Sequence, residues 1–265
     1  MSDSSFEELH AFARSLGIPR VAFQGDHYDL HEAGQAAALA NGAVHTPSRD
    51  LVKALNRTGL RRGPSYVRGG LSAVAALPAP LLETERLILR QWTADDIDPM
   101  HAIESDPGVM TYLGGPLTRE VTARQVDSHA VSLALRGMGQ WAVQLRTTGE
   151  LIGRCGVSAA DPVLPFAPAL ELGARLSATH QHHGLGTEAA AAALHYGFSS
   201  LEVARIVAFA AIENVASRST MARLGMVEQG EFDHPRYLPP MRRQVVAWID
   251  SVAGIDEVDG APNGH

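Results

Sequence analysis

Residues 181–188 read Gln181-His182-His183-Gly184-Leu185-Gly186-Thr187-Glu188. They follow a strand-like pattern over 169–176 and open a helical pattern over 187–200. Glycines at such a junction let the backbone approach a ligand closely, and the first amides of a helix have no intrahelical partner and point the same way. With the positive end of the helix dipole they make a cradle suited to an anion such as a pyrophosphate. Small residues at 189–193 hold the helix close to a sheet, and Leu194, Phe198 and Leu201 supply its buried stripe. A glycine pair at this spacing is common, so a tight strand-to-helix turn without a ligand stays open at this point.

Working outward, residues 86–92 alternate as a strand, and 95–105 and 118–136 carry helical periodicity. Strands at 140–145, 151–159 and 169–176 then follow in hairpin-like order. Beyond the loop come a strand at 205–212, a helix at 216–224, and strands near Val227 and over 244–249. Strands first, then helices alternating with strands, predict an α+β domain with a mixed, mostly antiparallel sheet flanked by helices.

Composition narrows the chemistry. The chain has 265 residues with a net charge of −7, 45% apolar and 19% charged, as expected of a folded protein with a sizeable core. Split at residue 80, the N-terminal segment carries 8 basic and 7 acidic residues and the rest 14 and 22, so neither has the excess that drives nucleic-acid binding. The single cysteine, Cys155, excludes an internal disulfide and a cysteine-rich zinc site. The only lysine, Lys53, lies outside any Gly-Lys-Ser/Thr, which excludes a P-loop. No apolar run is long enough to cross a membrane, the longest being broken by Pro78 and Pro80. Met1-Ser2-Asp3-Ser4-Ser5 has neither a basic nor an apolar leader, which predicts a cytoplasmic protein.

The order of elements, the loop, and three further blocks together resemble the GNAT superfamily of N-acetyltransferases, over residues 82–250. Glu83-Thr84-Glu85-Arg86-Leu87-Ile88-Leu89-Arg90 is similar to the opening of its RimJ/RimL-type group. Glu171-Leu172-Gly173 stands where that group has Glu-Ile-Gly, and Asn214-Val215-Ala216-Ser217 with Arg223-Leu224-Gly225-Met226 matches its Asn-x-x-Ser…Lys-x-Gly-Phe helix, Met226 replacing the usual Phe. Agreement across composition, element order and motif is what makes the resemblance specific.

The resemblance implies transfer of an acetyl group from acetyl-CoA to an amine, a protein N-terminus or a small molecule, by direct attack in a ternary complex. It implies that Gln181, His182, His183, Gly184, Leu185, Gly186 and Thr187 cradle the pyrophosphate and that Asn214 hydrogen-bonds the pantetheine arm. A backbone N–H near Leu176 would stabilise the oxyanion, at the place where relatives splay a pair of strands. Met221 occupies the position of the tyrosine that many members use toward the departing thiolate, which leaves Ser217 as a hydrogen-bond donor. Ser217 is equally readable as a helix cap.

The base is open between His234, in Phe232-Asp233-His234-Pro235, then Glu171, Glu213, and water alone. Cys155, among apolar neighbours, reads as a core residue and not a nucleophile. His180, His182 and His183 crowd the loop and read as solvated side chains; no metal is expected. A non-catalytic acyl-CoA sensor is the alternative function. A homodimer stays open. A dinucleotide-binding fold is excluded, because the loop lacks Gly-x-Gly-x-x-Gly and follows hairpin-like strands.

Residues 3–57 resemble a small bacterial domain family of unknown function, through residues 7–13, Phe23-Gln24, His27-Tyr28-Asp29 and Gly42-Ala43-Val44. Helical signals at 5–16, 32–41 and 49–57 alternate with strand signals at 21–24 and 43–44, which predicts a small α/β unit. Relatives open with an earlier strand that is absent here. Residues 58–82, rich in glycine and proline, read as a linker, residues 83–250 as the acetyltransferase-like domain, and 251–265 as a disordered tail.

Overall fold

The structure is a computed structural model that describes residues 2, 5–58, 60–61, 64–239 and 241–251, with backbone only at 64–68. The expected tail, but for Ser251, lies outside the described residues.

Eight strands form one sheet: β1 (Leu82–Glu83), β2 (Leu87–Arg90), β3 (Gly139–Leu145), β4 (Leu151–Ala159), β5 (Leu170–Leu176), β6 (Arg205–Ala211), β7 (Val227–Asp233) and β8 (Arg243–Asp250), in the order β1-β2-β3-β4-β5-β6-β8-β7. Every neighbouring pair is antiparallel except β5–β6. The mixed, mostly antiparallel α+β sheet is therefore as the sequence predicts. Eight helices accompany it among the described residues: α1 (Phe6–Ser15), α2 (Glu32–Ala40), α3 (Ser48–Thr58), α4 (Pro64–Val74), α5 (Ile97–Glu104), α6 (Arg119–Arg136), α7 (Leu185–Ser199) and α8 (Val215–Arg223).

Sequence chemistry sets these boundaries. Thr118 accepts a hydrogen bond from the Val121 amide at the start of α6, and Gly137 ends the helix at φ 69°, a conformation that favours glycine. α7 lies close to the sheet because Ala189, Ala190 and Ala193 are buried and Gly197 leaves room for Ile206, which a Cβ there would approach to 2.5 Å. Alternation along β5 sends Leu170, Leu172 and Leu176 into the apolar layer under α7 and Glu171 and Arg175 toward α5 and α6.

The N-terminal residues depart from expectation. Val21 lies in a 3-10 turn (Arg20–Ala22), residues 43–44 form no strand, and the described β pairing there is one bridge, Phe23 to Tyr28. A strand needs a partner, and here the aromatic residues pack on one another instead: Phe6, His10, Phe23 and Tyr28 form a ring cluster. The predicted α/β unit is helical in fact. Within the segment expected to be a linker, α4 buries Leu71 and Val74 in the main core, and the Leu71 amide donates to Asp127 of α6 (2.9 Å).

Candidate active site

The site begins where the sheet comes apart. Ser177 N donates to Ile152 O across β4–β5 (2.9 Å). Antiparallel pairs alternate between bonded and unbonded, so Arg175 and Gly173 exchange bonds with β4 while the amides of Ala174 and Leu176 point toward β6. But β6 pairs with β5 only at Leu170–Ile206 and Glu171–Val207. Each strand is held by its outer neighbour, β5 by β4 up to Leu176 and β6 by β8 up to Ala211, so the two diverge and Ala174 is exposed in mid-strand.

The glycine loop closes the end of this opening. Gln181 Nε2 donates to Leu176 O (3.0 Å), tying loop to strand. His182 (φ 64°) and Gly184 (φ 78°) take the left-handed conformation, and Gly184 caps α7 with no side chain bonded to the helix end. Among the described residues no acceptor pairs with the amides of 182–187; the first intrahelical bond is Glu188 N to Gly184 O (3.0 Å). Successive free donors at a helix N-terminus beside a strand opening are the donor set that a diphosphate requires.

A brace from the other end of the domain holds the loop. Glu188, in the first turn of α7, accepts from Thr84 Oγ1 (2.5 Å), Arg86 N (2.9 Å) and Arg86 Nε (2.6 Å), and Arg86 Nη1 reaches the His183 carbonyl (3.0 Å). These bonds to Thr84 and Arg86 hold the Glu188 carboxyl below its usual range against the opposing effect of burial. The Thr84–Arg86 motif and the loop, 97 or more residues apart, are one hydrogen-bonded unit.

Across the opening, Asn214 caps α8, its side-chain oxygen accepting from Ser217 N (3.1 Å). Ser217 is thus not the cap. Its hydroxyl and the Asn214 NH2 have no partner among the described residues. Glu213 is exposed at the turn before α8.

The face of the sheet away from α7 carries a buried charge network that sequence reading missed. Glu104 of α5, 1% exposed, accepts from Arg175 of β5 and Thr122 Oγ1 and forms an ion pair with Arg154 of β4 (3.2 Å). Arg154 also donates to His129 Nε2 (2.8 Å) and to Gln140 Oε1. Burial, then Arg154 and Arg175, push His129 well below its usual range, so its ring is neutral. The one legible signal was a charge inside an otherwise apolar strand, Arg154 in Leu151-Ile152-Gly153-Arg154-Cys155.

Glu171 borders this network and a cavity of about 930 Å³. Burial raises its carboxyl to about 7; Arg154 opposes the shift and Asp161 adds to it. His234 is buried, stacked on Tyr237 (4.2 Å between centroids) and packed near Phe209, and its Nδ1 accepts from Arg236 N (3.2 Å). Burial lowers its pKa, with Asp161 opposing. Tyr237, absent from the sequence reading, has its hydroxyl pKa raised by burial, while the charges of Arg175, Glu171 and Arg154 also act on it. The structure therefore gathers Leu176 with the loop, and Glu171 with the network, and sets His234 in an aromatic cluster.

Cys155 is fully buried and its thiol is pushed up to about 12, as befits a core residue. His180 is bonded to Ser177 Oγ (2.7 Å), whereas His182 and His183 are exposed. Among the described residues no three His, Cys, Asp or Glu converge as a metal site, and no helix is long and apolar enough to cross a membrane.

Comparison with known proteins decides the family. The acetyltransferase (GNAT) domain matches residues 86–227. The chain belongs to the GNAT acetyltransferase family. It is an acetyl-CoA-dependent acyltransferase, and residues 1–58 match a protein family of unknown function, DUF4031. Among curated relatives, the uncharacterized N-acetyltransferase YoaA of Bacillus subtilis (strain 168) is 33% identical over 57% of this chain and 85% of its own. The uncharacterized N-acetyltransferase p20 of Bacillus licheniformis is 32% identical over 56% and 83%. Among solved structures, a GNAT-family acetyltransferase from Bacillus anthracis superposes with TM-score 0.56 at 25% identity, over 65% of this chain and 99% of that one. RimL, described as a ribosomal L7/L12 alpha-N-protein acetyltransferase in complex with coenzyme A, shares the fold at TM-score 0.54 and 16% identity, over 64% and 98%. For the acetyltransferase domain, the diverging strands and free loop amides fit a family that uses acetyl-CoA.

Proposed function

We propose that this protein is an N-acetyltransferase in which an amine attacks acetyl-CoA directly, without an acyl-enzyme. The carrying observation is that β5–β6 pairing stops at Glu171 and Val207, with free loop amides closing one end of the gap and a titratable carboxyl at the other. The cosubstrate brings an activated acetyl thioester. The amides of 182–187 bind its diphosphate, and the free NH2 of Asn214 takes up the arm between the strands. The Leu176 N–H, directed into the gap, stabilises the developing oxyanion.

Glu171 takes the proton of the attacking amine. A carboxyl near 7 is half ionised at neutral pH and balances availability against proton affinity. His234, with Nδ1 engaged and its ring stacked, packs the acceptor side instead. The Ser217 hydroxyl donates a hydrogen bond to the departing thiolate.

Thiol release measured against a panel of amines tests the reading and separates it from an acyl-CoA sensor. Turnover that appears with an amine and drops about a hundredfold in Glu171→Gln supports it. Binding of acetyl-CoA with no thiol released by any amine overturns it in favour of the sensor.

A further inference from the structure

The cavity beside Glu171 is not built by the acetyltransferase domain alone. Val21 and Gln24, from the DUF4031 residues, line it together with Gln125 and Arg136 of α6 and Asp161 of the β4–β5 connection. Several contacts hold this wall in place. Arg20 Nη2 donates to Arg136 O (2.8 Å) while its guanidinium lies 4.7 Å over the Phe23 ring, and Val21 packs on the main core. Arg136 Nη2 in turn donates to Gln24 Oε1 (3.1 Å).

The cations in this cavity differ in what balances them. Arg154 faces Glu104, and Arg236 is paired with Asp161 at 2.6 Å. Arg136 has only the neutral amide of Gln24 and no acidic partner among the described residues. Burial lowers its pKa. An arginine stays charged even so, and a partly buried guanidinium with donors to spare is a site for an anion presented in its plane. At about 930 Å³ the space suits a small molecule.

We propose that the acceptor is a small molecule bearing both an amine and an anionic group, the anion held by Arg136 and the amine delivered to Glu171, in a cavity completed by the N-terminal domain. This rests on the transferase reading above. A carboxylate and a phosphate share the chemistry that Arg136 recognises. A protein N-terminus does not need such a group.

The test uses the full chain, acetyl-CoA and thiol release with matched amines: β-alanine, its neutral amide, phosphoethanolamine and ethanolamine. The anionic member of a pair is used at least about tenfold better in kcat/KM, and which pair shows it separates carboxylate from phosphate. Arg136→Met brings the ratio near one while leaving the KM for acetyl-CoA in place, and Arg136→Lys retains some of the preference. Gln24→Trp raises the KM of the anionic amine. Equal use of the neutral partners, a preference that survives in Arg136→Met, or a peptide N-terminus used better than every small acid overturns the inference while leaving the transferase reading standing. Binding of acetyl-CoA with no turnover of any amine overturns that reading, and this one with it.

Discussion

Glu171 has its carboxyl raised to about 7 because desolvation outweighs the attraction of Arg154. As the proposed base it works in the carboxylate form, so the rate is expected to rise with pH through about 7 and to fall below it. With an acceptor amine already neutral at pH 6, kcat/KM is expected to climb across this range, and Glu171→Gln to flatten it. An unchanged rising limb in the variant would remove Glu171 from the role. The sequence offered Glu171 and His234 on near-equal terms, because a motif carries no information on which side chain ends up stacked and which borders a cavity. Glu104 was invisible for a related reason. It sits in an ordinary helix, and only folding brings Arg154 and Arg175 to it from two strands. Glu104→Gln leaves two buried guanidiniums with no carboxylate between them, and should cost about 3–5 kcal/mol of stability by chemical denaturation. A loss under about 1 kcal/mol would mean the network is solvated.

At the scale of elements, strands and helices with long, periodic patterns were legible. Residues 151–159 and 170–176 fall within a residue of expectation, because alternation is written into the chain itself. The N-terminal strands failed because a short apolar run does not carry its own partner. The glycine turn opening α7 was legible, but its support was not: the Arg86 brace joins residues about a hundred positions apart. Removing that brace in Arg86→Ala frees the Glu188 carboxylate and the His183 carbonyl beside the amides proposed to hold the diphosphate. Arg86 is about half exposed, so the full strength of its charged bonds is not expected. Affinity for coenzyme A by calorimetry should fall about fivefold, while the rate at saturating cosubstrate changes little. A matching fall in rate with affinity intact would instead place Arg86 in the chemistry.

For the whole molecule, the contacts between the N-terminal residues and the acetyltransferase domain bear on how the chain unfolds. Val74 of α4 is fully buried in the core that also holds Trp92 and Trp141, and the Trp141 indole donates to the carbonyl of Pro80 (2.8 Å). Asp127 of α6 accepts the Leu71 amide, and Arg20 bonds the end of the same helix. An apolar helix face shared in this way draws the segment that read as a linker into the same cooperative unit, since α4 cannot leave without exposing the core. All three tryptophans lie after residue 90, so their fluorescence reports the acetyltransferase domain, whereas far-UV circular dichroism reports all helices. The two signals are expected to give one coincident denaturation curve. Val74→Ala, outside the residues that match the GNAT family, should shift the tryptophan midpoint by the equivalent of about 2 kcal/mol. If the circular dichroism curve splits in two, or the tryptophan midpoint ignores Val74, α4 and the wall beside Glu171 are separable from the catalytic domain.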